Sequence, residues 1–230
     1  MPRQRRRIVR PIIYNRRDAA NLALRPLEIV FMHRVLTPAD YRRSAWKNGG
    51  GRTTEIAAYP ANAGLDRFIW RASIADIECA GPFSVFHDVD RTLALLQGAG
   101  LVLHGAGEPL ELRAHYEPVE FAGDIPLECS LTDGPVRDFN LMVCRTHARG
   151  EVVVVRGSAE ALAPARFQLC YAAVGVCECL LAAHVPLALH EGNALLIDSA
   201  DAPPSVVHIN PLSSDAVALA AAIDLIGLAP

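Results

Sequence analysis

Lysine is nearly missing from this sequence. Of the 22 residues that are Lys or Arg, only Lys47 is a lysine. A chain that uses arginine wherever either cation serves, yet keeps one lysine, marks a position where a compact ammonium does a job that a planar guanidinium fork cannot. Other absences narrow the function further. No stretch supplies the ~20 clean apolar residues of a membrane span. The longest candidate, residues 170–189, is broken by Glu178, His184 and Pro186. There is no G-x-S-x-G, no G-x-x-x-x-G-K-[ST] and no H-E-x-x-H, which sets aside the commonest hydrolase, phosphate-loop and zinc-protease signatures. The glycines between Gly98 and Gly107 place Leu103 where a dinucleotide loop requires glycine. The eight histidines are scattered, with no close pair beside a carboxylate, so neither a metal nor another cofactor is expected.

The cysteines at 79, 129, 144, 170, 177 and 179 are irregularly spaced, and no export signal precedes them. They read as reduced thiols of a cytoplasmic protein, Cys177 and Cys179 being small hydrophobes on one strand face. The net charge of −3 hides an asymmetry: residues 1–31 carry eight arginines against Asp18 and Glu28, which leaves the remainder acidic. An acidic body argues against a nucleic-acid partner. Residues 1–31 read as a basic extension, disordered or non-native, with translation starting at Met32. A targeting peptide or an interaction tail is the competing reading.

What the sequence does contain, from Met32 onward, is short strand-like runs separated by Gly, Pro and Asp. Phe68–Ile77 alternates, with Trp70, Ala72 and Ile74 on one face and Arg71, Ser73 and Ala75 on the other. Runs at 92–96, 101–104, 110–114, 119–121 and 127–131 follow, then 151–156, 167–174, 176–181, 187–190, 194–197 and 205–209. Strands this close, without helices between them, predict an all-β antiparallel sandwich or barrel. The two halves repeat the style, so one unit is expected over 32–148 and another over 149–230. The Ala/Leu-rich segment 215–228 fits a helix or a strand equally well.

One constellation suits a small anionic ligand. Trp46-Lys47-Asn48-Gly49-Gly50-Gly51 combines an aromatic, a cation, an amide and three glycines in a binding-type loop. Lys47 and Arg71 can neutralise carboxylates, one as a point charge and the other as a fork. Asn48 and Asn140 both donate and accept. Ser73 shares a face with Arg71, and Asp138 shares one with Asn140 and Met142 if that segment is extended. The candidate ligand-binding set is therefore Trp46, Lys47, Asn48, Gly49, Arg71, Ser73, Asp138 and Asn140, with no catalytic residue assigned. Two rivals stand beside it: core packing for Trp70, and an internal ion pair of Arg71 with Asp90 or Asp138. Asp90-Arg91 itself reads as a clamp between strands.

These segments resemble the HutD/Ves family, double-cupin proteins linked to bacterial histidine utilisation. The resemblance rests on Trp46–Gly51 with Thr53 and Glu55, and on Trp70-Arg71-Ala72-Ser73-Ile74-Ala75. It continues through Gly81-Pro82-Phe83-Ser84-Val85-Phe86, Asp90-Arg91, Phe121-Ala122-Gly123-Asp124 and the run from Asp133 to Met142, and so covers residues 32–145. It implies two stacked cupin barrels, a bicupin, with a pocket in the N-terminal barrel. It also implies a regulator that limits histidine breakdown by sensing an intermediate such as formylglutamate, formiminoglutamate or urocanate. A metal-independent hydrolase or isomerase acting on a small amide or sugar-like metabolite is the alternative. Barrel edges that pair between copies make a homodimer a further expectation.

Overall fold

A computed structural model describes residues 32–46, 49–105, 107–181, 185–200 and 203–227. Among these there is no helix; the unit is built of β-strands in four antiparallel sheets. The N-terminal half supplies an inner six-stranded sheet in the order β2 (Arg42–Ala45), β3 (Gly51–Tyr59), β4 (Trp70–Ile77), β11 (Val136–Cys144), β6 (Val89–Gln97), β9 (Pro118–Ala122). Its outer partner orders β5 (Gly81–Phe83), β10 (Leu127–Leu131), β7 (Leu101–His104), β8 (Leu110–Leu112). In the C-terminal half the inner sheet is β1 (Met32–Leu36), β17 (Ala194–Asp198), β14 (Phe167–Val174), β19 (Val217–Leu225), β12 (Ala148–Arg156). The outer one is β13 (Glu160–Leu162), β18 (Val207–Pro211), β15 (Val176–Leu181), β16 (Leu187–His190). Although β1 opens the described chain, it pairs with β17 over five residues, from Met32 opposite Asp198 to Leu36 opposite Ala194.

Three large cores hold the layers together, beside a smaller fourth formed by Phe68, Val89 and Met142. Phe83, Leu101, Leu103, Leu127 and Cys129 of the outer N-terminal sheet pack on Ala75, Ile77, Leu93, Leu95 and Val136 of the inner one. The two inner sheets pack face to face through Trp70, Phe139 and Leu141 on one side and Phe167, Leu169, Tyr171 and Leu219 on the other. Cys170, Ala172, Ala218 and Ala220 meet Cys177, Cys179, Leu189 and Ile209 in the third. Side chains on a strand point alternately to its two faces. An inner sheet covered on both faces therefore buries nearly every residue, and β4, β6 and β11 show this along most of their length. At roughly 1.5–3 kcal/mol for each large apolar side chain taken from water, these layers supply the main stabilisation.

The segment 215–228, open between helix and strand on sequence, is a strand over Val217–Leu225. All nine of its residues pair with β12, and most pair with β14. Alanine is a poor strand former, but here alanines face two cores at once, where a small side chain lets neighbouring layers close up.

Candidate functional site

The inner N-terminal sheet turns one face toward the outer sheet, and polar residues collect there in rows set by strand register. Thr53, Ala75, Asp138 and Leu95 form one row across β3, β4, β11 and β6. The next holds Glu55, Ser73, Asn140 and Leu93. In the third, Met142 lies between Arg71 on β4 and Arg91 on β6. Two register shifts fall beside these residues, one between Glu55 and Ala57 on β3 and one between Arg137 and Asp138 on β11. Such bulges re-aim the flanking side chains, here inward.

The side chains so gathered are buried and charged. Arg71, Ser73, Arg91, Asp138 and Asn140 are each 6% exposed or less. Arg71 Nε donates to Glu55 Oε2 at 2.8 Å, and its Nη1 reaches Ser73 Oγ at 3.4 Å. The rival to ligand binding foreseen for Arg71 is thus real in kind, but the partner is Glu55, not Asp90 or Asp138. Arg91 lies over three aromatic rings, 4.6 Å from the Phe83 centroid, 5.3 Å from Phe121 and 5.7 Å from Phe86. Its Nη1 donates to the Ser84 carbonyl at 3.4 Å. Asp90 does not clamp to Arg91. It accepts from Arg145 at 2.8 Å, and Arg145 also ties Asp124 and the Val89 carbonyl.

Asp138 is the anomaly. Neither of its carboxylate oxygens has a hydrogen-bond partner, and the same holds for Asn140 Oδ1 and Arg91 Nε. Burial pushes the Asp138 carboxyl up to about 7, although Arg91 nearby pulls the other way. Burial likewise lowers Arg91 to about 10, against the attraction of Asp138. Cys129, on the opposite wall, is raised to about 11 by burial and then by Asp138.

The Trp46 loop closes onto the Asp138 end of these rows. Trp46 Nε1 donates to Thr53 Oγ1 at 2.8 Å, and the Trp46 amide bonds the Gly51 carbonyl at 2.9 Å. Gly49 sits at φ +73°, a left-handed conformation that favours glycine. A Cβ on Gly51 would lie 2.3 Å from the Asp76 carbonyl oxygen, so only glycine lets the loop approach β4. Lys47 and Asn48 lie outside the described residues. A cavity of about 10 Å³, the size of one water, is lined here by Trp46, Gly50, Ile77, Phe83 and Cys129 among others.

Of the residues foreseen on sequence, the structure brings Arg71, Ser73, Asp138 and Asn140 onto one interior face, with Trp46 bonded to its first row and Gly49 in the loop behind. Trp70 points the other way, into the core between the inner sheets. Sequence reasoning missed Arg91 as a site residue and Glu55 as the partner of Arg71. The signal for Arg91 was its place two and four residues before Leu93 and Leu95, on what alternation makes a buried face.

Two other features bear on where a ligand can go. A shallow groove of about 370 Å³ opens on the opposite face, lined by Arg52, Asp76, Glu78 and Arg137 with three neighbours. Its charges satisfy one another: Arg137 Nε bonds Asp76 at 2.6 Å, and Arg52 pairs with both Asp76 and Glu78. Among the described residues of the C-terminal half the buried polar ones are Gln168 and Ser199, neither of them charged. Among the described residues no group of three or more His, Cys, Asp or Glu is arranged to hold a metal. No described helix is long and apolar enough to cross a membrane.

Paired antiparallel sheets with polar residues gathered on the inner wall define a protein of the cupin β-fold. Residues 38–211 match the HutD family, and the chain belongs to that family. It is 38% identical over 139 residues to an uncharacterised 21.2 kDa protein in the hutC 3′ region of Pseudomonas putida, covering 60% of this chain and 73% of that one. Over 110 residues it is 42% identical to protein Ves of Cronobacter sakazakii, covering 47% of this chain and 59% of Ves. HutD from Pseudomonas fluorescens SBW25 superposes with a TM-score of 0.73 at 30% identity, over 85% of this chain and all (100%) of that structure. The oxalate decarboxylase of Lactobacillus farciminis, at a TM-score of 0.53 and 9% identity, over 82% of this chain and 85% of that one, shares the fold alone.

Proposed function

We propose that this protein is a non-enzymatic, small-molecule-binding bicupin of the cytoplasm. It binds a small anionic intermediate of histidine breakdown inside its N-terminal sheet pair and thereby limits flux through that pathway. The observation that carries this reading is the asymmetry of buried charge. Arg71, Arg91 and Asp138 all lie on one interior face of the N-terminal half, and the C-terminal half buries no charged residue among those described. Burying charge is costly and is tolerated where a partner compensates it. Two guanidinium groups on one wall match the carboxylates of formylglutamate, formiminoglutamate or urocanate. The family membership and the relative in the hutC 3′ region support this choice of pathway.

Thermal-shift titration against these three compounds tests the proposal. A ligand present at 100 times its Kd stabilises by ~2.7 kcal/mol, a displacement of several degrees. No shift with any of the three at millimolar concentration overturns it.

A second reading rests on one observation. A carboxyl poised at about 7, as Asp138 is, matches what a general acid–base catalyst needs near neutral pH. The metal-independent hydrolase or isomerase alternative follows from it. Turnover of a bound candidate, abolished in Asp138→Asn, would replace the sensor reading with this one.

A further inference from the structure

The two halves repeat one strand order, and the repeat exposes a vacant position. The outer order β5-β10-β7-β8 recurs as β13-β18-β15-β16, each strand eight further along the chain. The inner sheets follow the same rule, β4-β11-β6-β9 corresponding to β12-β19-β14-β17. Their flanks differ. β4 is covered by β3 and then β2, whereas β12, its counterpart, ends its sheet with no strand beyond it among the described residues. Burial follows the gap: β4 is buried at all but one of its eight residues, β12 at only three of nine.

An uncovered edge presents a row of unpaired amides and carbonyls, and proteins commonly blunt it with short strands, proline, charge or bulges. The other described sheet ends are blunted: all have five residues or fewer, β5 and β9 contain a proline, and β2 carries two arginines. β12 is nine residues long, lacks proline and follows β19 without a register shift. Its valines from Val152 to Val155 favour the extended state. Arg149, Gly150 and Glu151 are exposed in succession. Among the described residues neither Arg149 nor Glu151 has an ion pair or side-chain hydrogen bond. Asp224, opposite Arg149 on β19, accepts from the Arg166 amide instead.

We propose that the β12 edge is a self-association surface, occupied by β12 of a second copy of this chain in antiparallel register about Gly150. A two-fold axis perpendicular to the joined sheet keeps every side chain on its own face. Opposed residues must then share a face, so the axis passes through a residue and not between two. With the axis on Gly150, each Arg149 stands opposite the partner's Glu151, and Ala148 opposite the partner's Val152. The ladder spans five residues, the length over which β1 holds β17. Moving the axis to Glu151 would set carboxylate against carboxylate, which is destabilising across a strand pair. The backbone ladder supplies the attraction; the two exposed ion pairs add little to it but select the register. A contact of this length makes a reversible dimer, not a permanent one.

Sedimentation velocity of the full chain between ~1 μM and ~1 mM tests the proposal, and wild type should pass from monomer to dimer within that range. Glu151→Arg opposes two arginines at both crossings, and Arg149→Glu opposes two glutamates. Each alone should raise the dimer Kd at least ~10-fold, equivalent to about 1.4 kcal/mol. An equimolar mixture of the two variants restores both opposite-charge pairs and should dimerise as wild type does. The double variant Arg149→Glu, Glu151→Arg should do the same by itself, and it still decides if one single variant fails to fold. Both positions are exposed, and circular dichroism checks each fold. Wild type that stays monomeric to ~1 mM overturns the proposal and leaves this edge to a strand of another protein. A dimer indifferent to both single variants, or a loss that neither the mixture nor the double variant recovers, also overturns it.

Discussion

Asp138 and Arg91 stand on the same interior face of adjacent strands, and no hydrogen bond or ion pair joins them. Each is nearly inaccessible, at 1% and 5% exposure. A protein selected for stability alone would bring such a pair into contact or replace it with apolar residues, because an uncompensated buried charge is among the costliest features of a core. Holding them apart keeps both available to a third group. The same strain gives the protein a measurable signature without any ligand.

That signature is a pH-dependent stability. Burial raises the Asp138 carboxyl from its ordinary 3.8 to about 7. Below pH ~4 the group is protonated whether the chain is folded or not, and it contributes no difference. Between pH ~4 and 7 the unfolded chain releases this proton and the folded one retains it, so stability falls as pH rises. Above ~7 the whole penalty applies, on the order of 4 kcal/mol for a shift of about three units. Asp138→Asn removes the titration. The Tm difference, variant minus wild type, should grow from pH 4 to 7 and then level off. A difference that stays flat across this range would show that Asp138 titrates normally.

The ion pair of Arg71 with Glu55 leads to a second expectation. Their side chains are 8% and 12% exposed, with 2.8 Å between Nε and Oε2. Arg71→Met leaves the half-buried Glu55 with only the exposed Arg42, 3.8 Å away, as its cation, and breaking a buried pair typically costs 3–5 kcal/mol. Urea denaturation should show a loss of about 3 kcal/mol for Arg71→Met. The double variant Arg71→Met, Glu55→Leu should recover most of it. Ligand binding should not return in the double variant, which separates the stabilising role of Arg71 from its recognition role.

Much of this is legible in the sequence, for identifiable reasons. The strands at 101–104, 127–131, 167–174, 176–181 and 187–190 end where they were expected, because Gly, Pro or a polar pair brackets each apolar run. β3, by contrast, reads GRTTEIAAY, and its bulge after Glu55 breaks the alternation that would reveal it. Nor does anything in MHRVL tell that β1 joins the far sheet; that pairing is settled by a partner more than 150 residues away. For the site, alternation was enough to put Arg71 with Ser73 and Asp138 with Asn140. It could not supply the register that sets β11 between β4 and β6. Without that register, Arg91 reads as half of an Asp-Arg clamp, and Glu55 has no visible partner.

The glycine run gives a third prediction. Gly51 and Gly49 are required for different reasons, and alanine distinguishes them. At Gly51 the added methyl meets the Asp76 carbonyl at 2.3 Å and the Trp46 ring at 3.2 Å, so backbone must move. Overpacking of this kind costs typically 1–3 kcal/mol. At Gly49 nothing lies within 4 Å of the new methyl, and only the left-handed backbone at φ +73° is penalised, by roughly 1 kcal/mol. Gly51→Ala should therefore be the more destabilising in urea titration. It should also disturb Trp46 fluorescence, whereas Gly49→Ala should leave that signal near wild type.

The cysteines supply the last prediction, which reports on the layers themselves. Cys79 is exposed and Cys144 half-buried, while Cys129, Cys170, Cys177 and Cys179 are all buried. Burial protects a thiol twice, by blocking access and by disfavouring the reactive thiolate. It raises Cys129 and Cys177 to about 11. Cys170 is likewise raised well above the ordinary thiol range, by its 3.6 Å hydrogen bond with Cys179 and by burial. Iodoacetamide at pH 8 with peptide mapping should label Cys79 first and Cys144 more slowly. The three thiols between the C-terminal sheets should react only when urea separates the layers, and all three at one midpoint, since Cys170 on one sheet touches Cys179 on the other. Labelling of Cys177 or Cys179 in native buffer at a rate near that of Cys79 would mean that the outer C-terminal sheet opens independently of the rest. In that case its core contacts would be worth far less than their burial implies.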